Sequence, residues 1–131
     1  MSTVPQSQGT KKTILIVEDN SAARMALEVL LDAAGFRVFA AGDAAQAEAI
    51  FASQAHAIDL LISDLMLPQI KGPEVYERLK RINPSLRCVL MSGFPLADEQ
   101  DKLHTQGIRH WIQKPFTIND LIALVESALA E

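Results

Sequence analysis

Five short apolar runs punctuate the chain, and a segment with helical periodicity follows each. Thr13-Ile14-Leu15-Ile16-Val17 is β-branched and uninterrupted, the pattern of a strand buried on both faces. Asn20 or Ser21 can cap the helix that follows. Leu27, Leu30, Leu31 and Ala34 share one face of it, and Gly35 stops it. Phe36 to Ala41 predicts a second strand. Asp43-Ala44-Ala45-Gln46 has the spacing of a capping box and opens a second helix that ends near Gln54. The third strand runs through Asp59-Leu60-Leu61-Ile62-Ser63 and stops on Asp64. A loop through Pro68 and Gly72 leads into a third helix, where Pro73 suits the first turn. Val75, Leu79 and Ile82 share its face, and Asn83-Pro84 ends it. Arg87 to Met91 predicts the fourth strand, closing on Ser92-Gly93. Pro95 to Gln106 predicts a fourth helix with a weak apolar pattern, ended by Gly107. Ile108 to Gln113 predicts the fifth strand, ending on Lys114-Pro115. Thr117 caps a last helix striped by Ile118, Leu121, Ile122, Val125 and Leu129.

Strands that alternate with crossover helices imply an α/β fold, a doubly wound parallel sheet with helices on both faces. Right-handed crossovers leave few topologies. Residues 1–12 are rich in Ser, Thr, Gln, Pro and Gly and predict a disordered tail or linker. Residues 13–131 predict one domain.

Composition changes this picture little. Hydrophobic residues make up 49% and charged residues 21% of the 131, as in a globular domain. A formal net charge of −4 disfavours non-specific binding to nucleic acid or anionic membrane. Cys88 is the only cysteine. It lies in an apolar run, so a buried, inert thiol is expected. The polar first residues are no signal peptide, and no apolar run reaches membrane-spanning length, so a cytoplasmic location is expected.

The strand ends carry the chemistry. In a parallel sheet all strand C-termini lie on one edge, where ligands bind. The first strand delivers Glu18 and Asp19 there, the third Asp64, the fourth Ser92 and the fifth Lys114. Three converging carboxylates repel unless a cation joins them. Mg²⁺, which takes oxygen ligands and shares phosphate oxygens, is the natural partner. Lys114 can neutralise further negative charge, and Ser92 can donate to an incoming oxygen. Such a site suits phosphoryl transfer, with Asp64 as the nucleophile that forms an acyl phosphate. Singly, each feature has a plainer reading. An acidic pair favours a helix N-terminus, a Ser after a strand is a turn residue, and a Lys-Pro is a solvated loop.

Four motifs together resemble the receiver domain of two-component response regulators. They are Ile14-Leu15-Ile16-Val17-Glu18-Asp19-Asn20, Asp64-Leu65-Met66-Leu67-Pro68 with Gly72, Met91-Ser92-Gly93, and Trp111-Ile112-Gln113-Lys114-Pro115-Phe116. The match runs from about Thr13 to Leu129. The resemblance implies a chemotaxis-regulator-like, flavodoxin-like (βα)5 fold with five strands in the order 2-1-3-4-5. It implies that Asp64 accepts a phosphoryl group from a phosphohistidine on a sensor histidine kinase or histidine phosphotransfer protein. Asp19 would ligate Mg²⁺ directly and Glu18 through water, with Asp64 and the backbone carbonyl of Met66 as further ligands. Ser92 and Lys114 would bind the phosphoryl group, and Trp111 would stand at the switch aromatic's position. Pro68 and Gly72 would shape the loop, and Lys114-Pro115 would be a cis peptide.

Three departures stand out. Trp111 replaces the usual Tyr or Phe, so an inward swing competes with a plain packing role. Glu18 replaces the commoner Asp. Met66 and Phe94 put apolar groups where polar side chains often tune hydrolysis. The resemblance further implies a signalling face made by helix four, strand five and helix five, which also allows a homodimer. The expected role is a phosphorelay component, not a turnover enzyme. It would act as a single-domain regulator or, as Met91-Ser92-Gly93-Phe94 hints, as the receiver of a hybrid histidine kinase. No DNA-binding region is expected in this chain, and the output partner is an unnamed protein. Of the alternatives, a haloacid-dehalogenase-type phosphatase would need an acid where Met66 stands. A degenerate receiver serving only as a binding module stays open, though the intact Glu18-Asp19 pair, Asp64, Ser92 and Lys114 argue against it. A nucleotide-binding domain would need a Gly-rich loop where Glu18-Asp19-Asn20-Ser21 stands.

Overall fold

The apolar runs form five parallel strands in the computed structural model, which describes residues 11–131. The strands are β1 (Thr13–Val17), β2 (Arg37–Ala41), β3 (Leu60–Asp64), β4 (Arg87–Ser92) and β5 (His110–Gln113). The helices are α1 (Ser21–Ala33), α2 (Ala44–Gln54), α3 (Gly72–Ile82), α4 (Gln100–Thr105) and α5 (Ile118–Leu129). The sheet order is β2-β1-β3-β4-β5. Register places Val17 beside Ser63 and Asp64 beside Met91, so the three central strands end level with one another.

Alternation along the buried strands splits the core into two layers. Leu15, Val17, Leu61, Cys88 and Leu90 pack with Phe51 of α2, Val75, Tyr76 and Leu79 of α3, and Leu103 of α4. Ile14, Ile16, Leu60, Ile62, Val89 and Met91 pack on the other face with Leu27 and Leu31 of α1 and Leu121 and Val125 of α5. Both faces of β1, β3 and β4 are therefore covered, which is why those sequences run apolar without a polar partner at every second position.

Local chemistry sets the helix ends. Asn20 accepts the Ala23 N–H at 2.8 Å and caps α1. Asp43 accepts the Gln46 N–H at 2.8 Å, while Gln46 reaches back to the Gly42 N–H at 2.7 Å, a reciprocal cap moved back by one residue. Thr117 accepts the Asp120 N–H at 3.1 Å and caps α5. Gly35 and Gly107 close α1 and α4 at φ of 101° and 83°, a region costly for any residue with a Cβ.

Several sequence expectations need correction. The fourth helix does not begin at Pro95. A 3₁₀ turn, Ala97–Glu99, precedes a helix of only six residues. Leu96 and Leu103 are the buried anchors of this segment, too few to hold a long helix against the sheet. β2 begins at Arg37 and β5 at His110, whereas β4 extends to Ser92. Leu30 is 43% exposed because it lies on the flank of the Leu27–Leu31 stripe, and Ile82, on the last turn of α3, is 53% exposed. The tail expected at residues 1–12 falls mostly outside the described residues. Lys12 is described, and its carbonyl already accepts the Arg37 N–H at 2.8 Å. Cys88 is buried, and burial pushes its thiol well above the ordinary range, which leaves it inert. Among the described residues no helix is long and apolar enough to cross a membrane.

Candidate functional site

β1 and β3 carry two carboxylates to the C-terminal edge of the sheet. Glu18 follows the fully buried β1 and is itself 1% exposed. Its N–H donates to the Ala41 carbonyl at 3.1 Å. Its carboxylate accepts the Asn20 N–H at 3.1 Å. Its carbonyl accepts a bond from Arg24 Nη1 at 2.8 Å. Asp19 is exposed at the mouth of the cleft. Asp64 is the last residue of β3 and 6% exposed. Behind it, the start of α3 presses so close that a Cβ on Gly72 would collide with the Asp64 carbonyl oxygen. Gly72 is thus required for close approach of backbone to backbone, and its N–H donates to the Leu65 carbonyl at 2.8 Å.

β5 supplies the cation. The Lys114 N–H donates to the Ser92 carbonyl at 2.7 Å, and the Lys114–Pro115 peptide is cis. The Lys114 ammonium then sits between two acids, with Nζ 2.8 Å from Glu18 Oε1 and 2.7 Å from Asp64 Oδ1. Burial raises the Asp64 pKa, the Glu18 carboxylate beside it raises it further, and Lys114 opposes both. The result is about 7. For Glu18 burial also acts upward, but hydrogen bonds from Asp64 and Lys114 outweigh it and hold Glu18 below the usual carboxylate value. Lys114 loses through burial and gains more from its two acidic partners, so its pKa is raised. Without a further cation, Asp64 is therefore the member of the pair that holds a proton below about pH 7, while Glu18 stays charged.

The donor set suits a hard divalent ion. Glu18, Asp19 and Asp64 each offer one oxygen, and those atoms lie within 4.8 Å of one another. Carboxylate oxygens in such a group match the ligand preference of Mg²⁺. The cleft around them measures about 300 Å³ and is also lined by Met66, Ser92 and Lys114. Met66, expected to offer its carbonyl, stands at this rim and is 54% exposed. Pro68 is exposed in the same loop, which an isolated bridge between Met66 and Lys71 closes.

Ser92 belongs to the cleft, but its hydroxyl is engaged elsewhere. It donates to the Phe94 carbonyl at 2.6 Å and accepts the Phe94 N–H at 3.1 Å. This is the turn role that a serine after a strand would have on its own. Trp111 lies one strand further out and is half-buried. Its ring centroid is 5.9 Å from that of His104 on α4. With Ser92, Phe94 and Leu96 it lines a second cleft of about 300 Å³ between β5 and the start of α4. The structure thus gathers Glu18, Asp19, Asp64, Met66, Ser92 and Lys114 at one cleft and places Trp111 beside it. Sequence reasoning missed Arg24 and Gly42. The only signal was a lone basic residue in the first turn of α1 and a glycine directly after β2.

Comparison with known proteins agrees with this fold. The family model described as the response regulator receiver domain matches residues 14–126. The chain is 34% identical over 125 residues to the transcriptional regulatory protein FixJ of Bradyrhizobium diazoefficiens, covering 93% of this chain and 58% of that protein. It is 26% identical over 117 residues to the sensor kinase CckA of Brucella abortus, covering 89% of this chain and 12% of that protein. The chain therefore spans only part of the curated relatives it matches. Among solved structures, the signal receiver domain of an HD domain-containing protein from Pseudomonas fluorescens superposes with a TM-score of 0.81. It is 30% identical, with 92% of this chain and 95% of that one covered.

Proposed function

Because the chain belongs to the response regulator receiver domain family, we propose that it is the phosphoacceptor of a two-component or phosphorelay system, with Asp64 as the residue modified. The observation that carries this reading is the Asp64 carboxyl at the end of β3, bonded to Lys114 at 2.7 Å and grouped with Glu18 and Asp19. An Asp64 carboxylate oxygen attacks the phosphorus of a phosphohistidine. The P–N bond breaks, the imidazole nitrogen keeps the electron pair and takes up a proton, and an acyl phosphate forms. Little covalent chemistry is asked of the protein, so positioning and charge compensation do most of the work. Glu18, Asp19, Asp64 and the Met66 carbonyl would hold Mg²⁺, which when bound offsets the charge of the phosphoryl oxygens. Lys114 binds one of those oxygens in place of its contact with Asp64. Ser92 exchanges the Phe94 carbonyl for another. That exchange releases the turn between β4 and α4, and Trp111, in contact with His104, joins β5 to the same segment. Phosphorylation then favours one of two arrangements of the α4–β5–α5 face.

A sensor histidine kinase or a histidine phosphotransfer protein is the fitting donor. Similarity to one stretch of a sensor kinase and to part of a transcriptional regulator supports both settings, a receiver within a larger protein and a separate regulator. The test is intact-protein mass spectrometry after incubation with acetyl phosphate, with and without Mg²⁺. The expected result is a Mg²⁺-dependent gain of one phosphoryl group that Asp64→Asn abolishes while its circular dichroism stays unchanged. A gain of equal size in Asp64→Asn would refute the assignment.

The lifetime of that group follows from the rim. Met66 lines the cleft and Phe94 follows its Gly93; they are 54% and 47% exposed and offer no side-chain polar group to orient an attacking water. Decay no faster than that of chemotaxis-type regulators is expected in a single-turnover assay, and fast loss would sink the idea.

A further inference from the structure

Arg24 stands beside the acidic cleft, yet among the described residues it forms no salt bridge there. The ion pairs of Glu18 and Asp64 come from Lys114. The guanidinium spends a hydrogen bond on a backbone atom instead. Nη1 lies 2.8 Å from the carbonyl oxygen of Glu18, which belongs to the peptide joining Glu18 to Asp19. On the near side of the same residue, the Glu18 N–H is held by Ala41 at the end of β2 at 3.1 Å. The backbone of the first acid is thus gripped on both sides, by a strand and by a helix side chain.

Space for this grip comes from Gly42. A Cβ there would stand 3.0 Å from Arg24 Nη1 and 3.5 Å from Arg24 Cζ. Gly42 has no left-handed φ, so a side chain there is opposed not by the backbone but by crowding against the guanidinium, which would have to shift by a few tenths of an ångström. The neighbouring cap fixes this glycine, since Gln46 accepts its N–H at 2.7 Å. Arg24 and Gly42, from different crossovers, thus lie against each other.

We propose that Arg24, lodged in the gap left by Gly42, is a positioning residue that fixes the Glu18–Asp19 peptide so that both carboxylates face a divalent cation. The inference rests on the reading of those two acids as Mg²⁺ ligands. Charge and position make opposite demands here. A guanidinium close to the site repels a cation, so its removal on electrostatic grounds alone tightens binding. Its removal as a brace loosens the ligands and weakens binding, as the loss of a group that orients ligands usually does.

The experiment is a Mg²⁺ titration of the full chain, followed by backbone amide resonances. The proteins are unsubstituted, Arg24→Ala, Arg24→Lys, Gly42→Val and Arg24→Ala/Gly42→Val. Arg24→Ala is expected to weaken Mg²⁺ binding roughly 10-fold, with amide shifts confined to the turns after β1 and β2. Arg24→Lys should recover part of the loss. Gly42→Val, which keeps the arginine but displaces it, should weaken binding as well, and the double variant should bind no worse than the weaker single one. Unchanged or tighter binding in Arg24→Ala overturns the proposal. So do additive losses in the double variant, or amide shifts spread through the sheet. If the unsubstituted protein takes up no Mg²⁺, the cation reading itself fails and the brace has nothing to position.

Discussion

All five residues of β3 are buried, while none of the four residues of β5 is. The helices beside them differ in the same way. α3 has 11 residues and buries five, and α4 has six and buries one. The two regions meet at Ser92, whose carbonyl holds Lys114 and whose hydroxyl holds Phe94. One side is over-determined by packing and presents Asp64 at a fixed place. The other is held by few apolar contacts, with Leu103 the one buried residue of α4. A receiver needs both, since a group added at a rigid point can bias only a region that has an alternative.

Core truncation should separate the regions most. Leu61→Ala, at a fully buried position of β3, should cost about 2–5 kcal/mol in urea unfolding. Ile112→Ala, the comparable truncation at a half-buried position of β5, should cost less than Leu61→Ala. Equal losses would mean that β5 is as firmly packed as β3.

Next in size is the effect of Lys114→Ala. Trp111 is the only tryptophan, so its fluorescence reports on the β5–α4 corner alone. Acetyl phosphate with Mg²⁺ should change that fluorescence in the unsubstituted protein. In Lys114→Ala the phosphoryl group should still appear by mass, but most of the optical change should vanish. A full optical response without Lys114 would remove it from the coupling.

A further effect concerns pH and sharpens the rigid side. The folded Asp64 pKa is raised from 3.8 to about 7. The native state therefore binds more protons than the unfolded one between those values. This contribution is present in full below 3.8 and is lost as pH rises through about 7. In EDTA the urea midpoint should fall from pH 5 to about pH 7.5 and then level off. Mg²⁺ should flatten that slope by stabilising the carboxylate. A midpoint that rises over this range would contradict the protonated Asp64.

Much of the fold was legible because its signals are local. Unbroken apolar runs follow from a sheet covered on both faces, and caps at Asn20, Asp43 and Thr117 follow from short side chains beside free N–H groups. The convergence of Glu18, Asp19, Asp64, Ser92 and Lys114 was legible for a topological reason, since parallel strands must end on one edge. The limits of α4 were not legible. Helical periodicity does not say whether two leucines suffice to hold a segment on a sheet. Nor does a stripe say where the neighbouring layer stops, which is why Leu30 and Ile82 lie exposed.

Residue types and their order along the chain were enough for the alternation of elements, the parallel edge and the set of groups placed on it. Only the tertiary structure decided which atoms of that set touch. Lys114 and Glu18 meet at 2.8 Å across 96 residues, and Ser92 turns to Phe94 instead. Arg24 finds its partner through a gap at Gly42 that belongs to another crossover. Such contacts depend on sheet register and on the seating of each helix. Those are set by the packing of the whole domain and leave no periodic trace in any one segment.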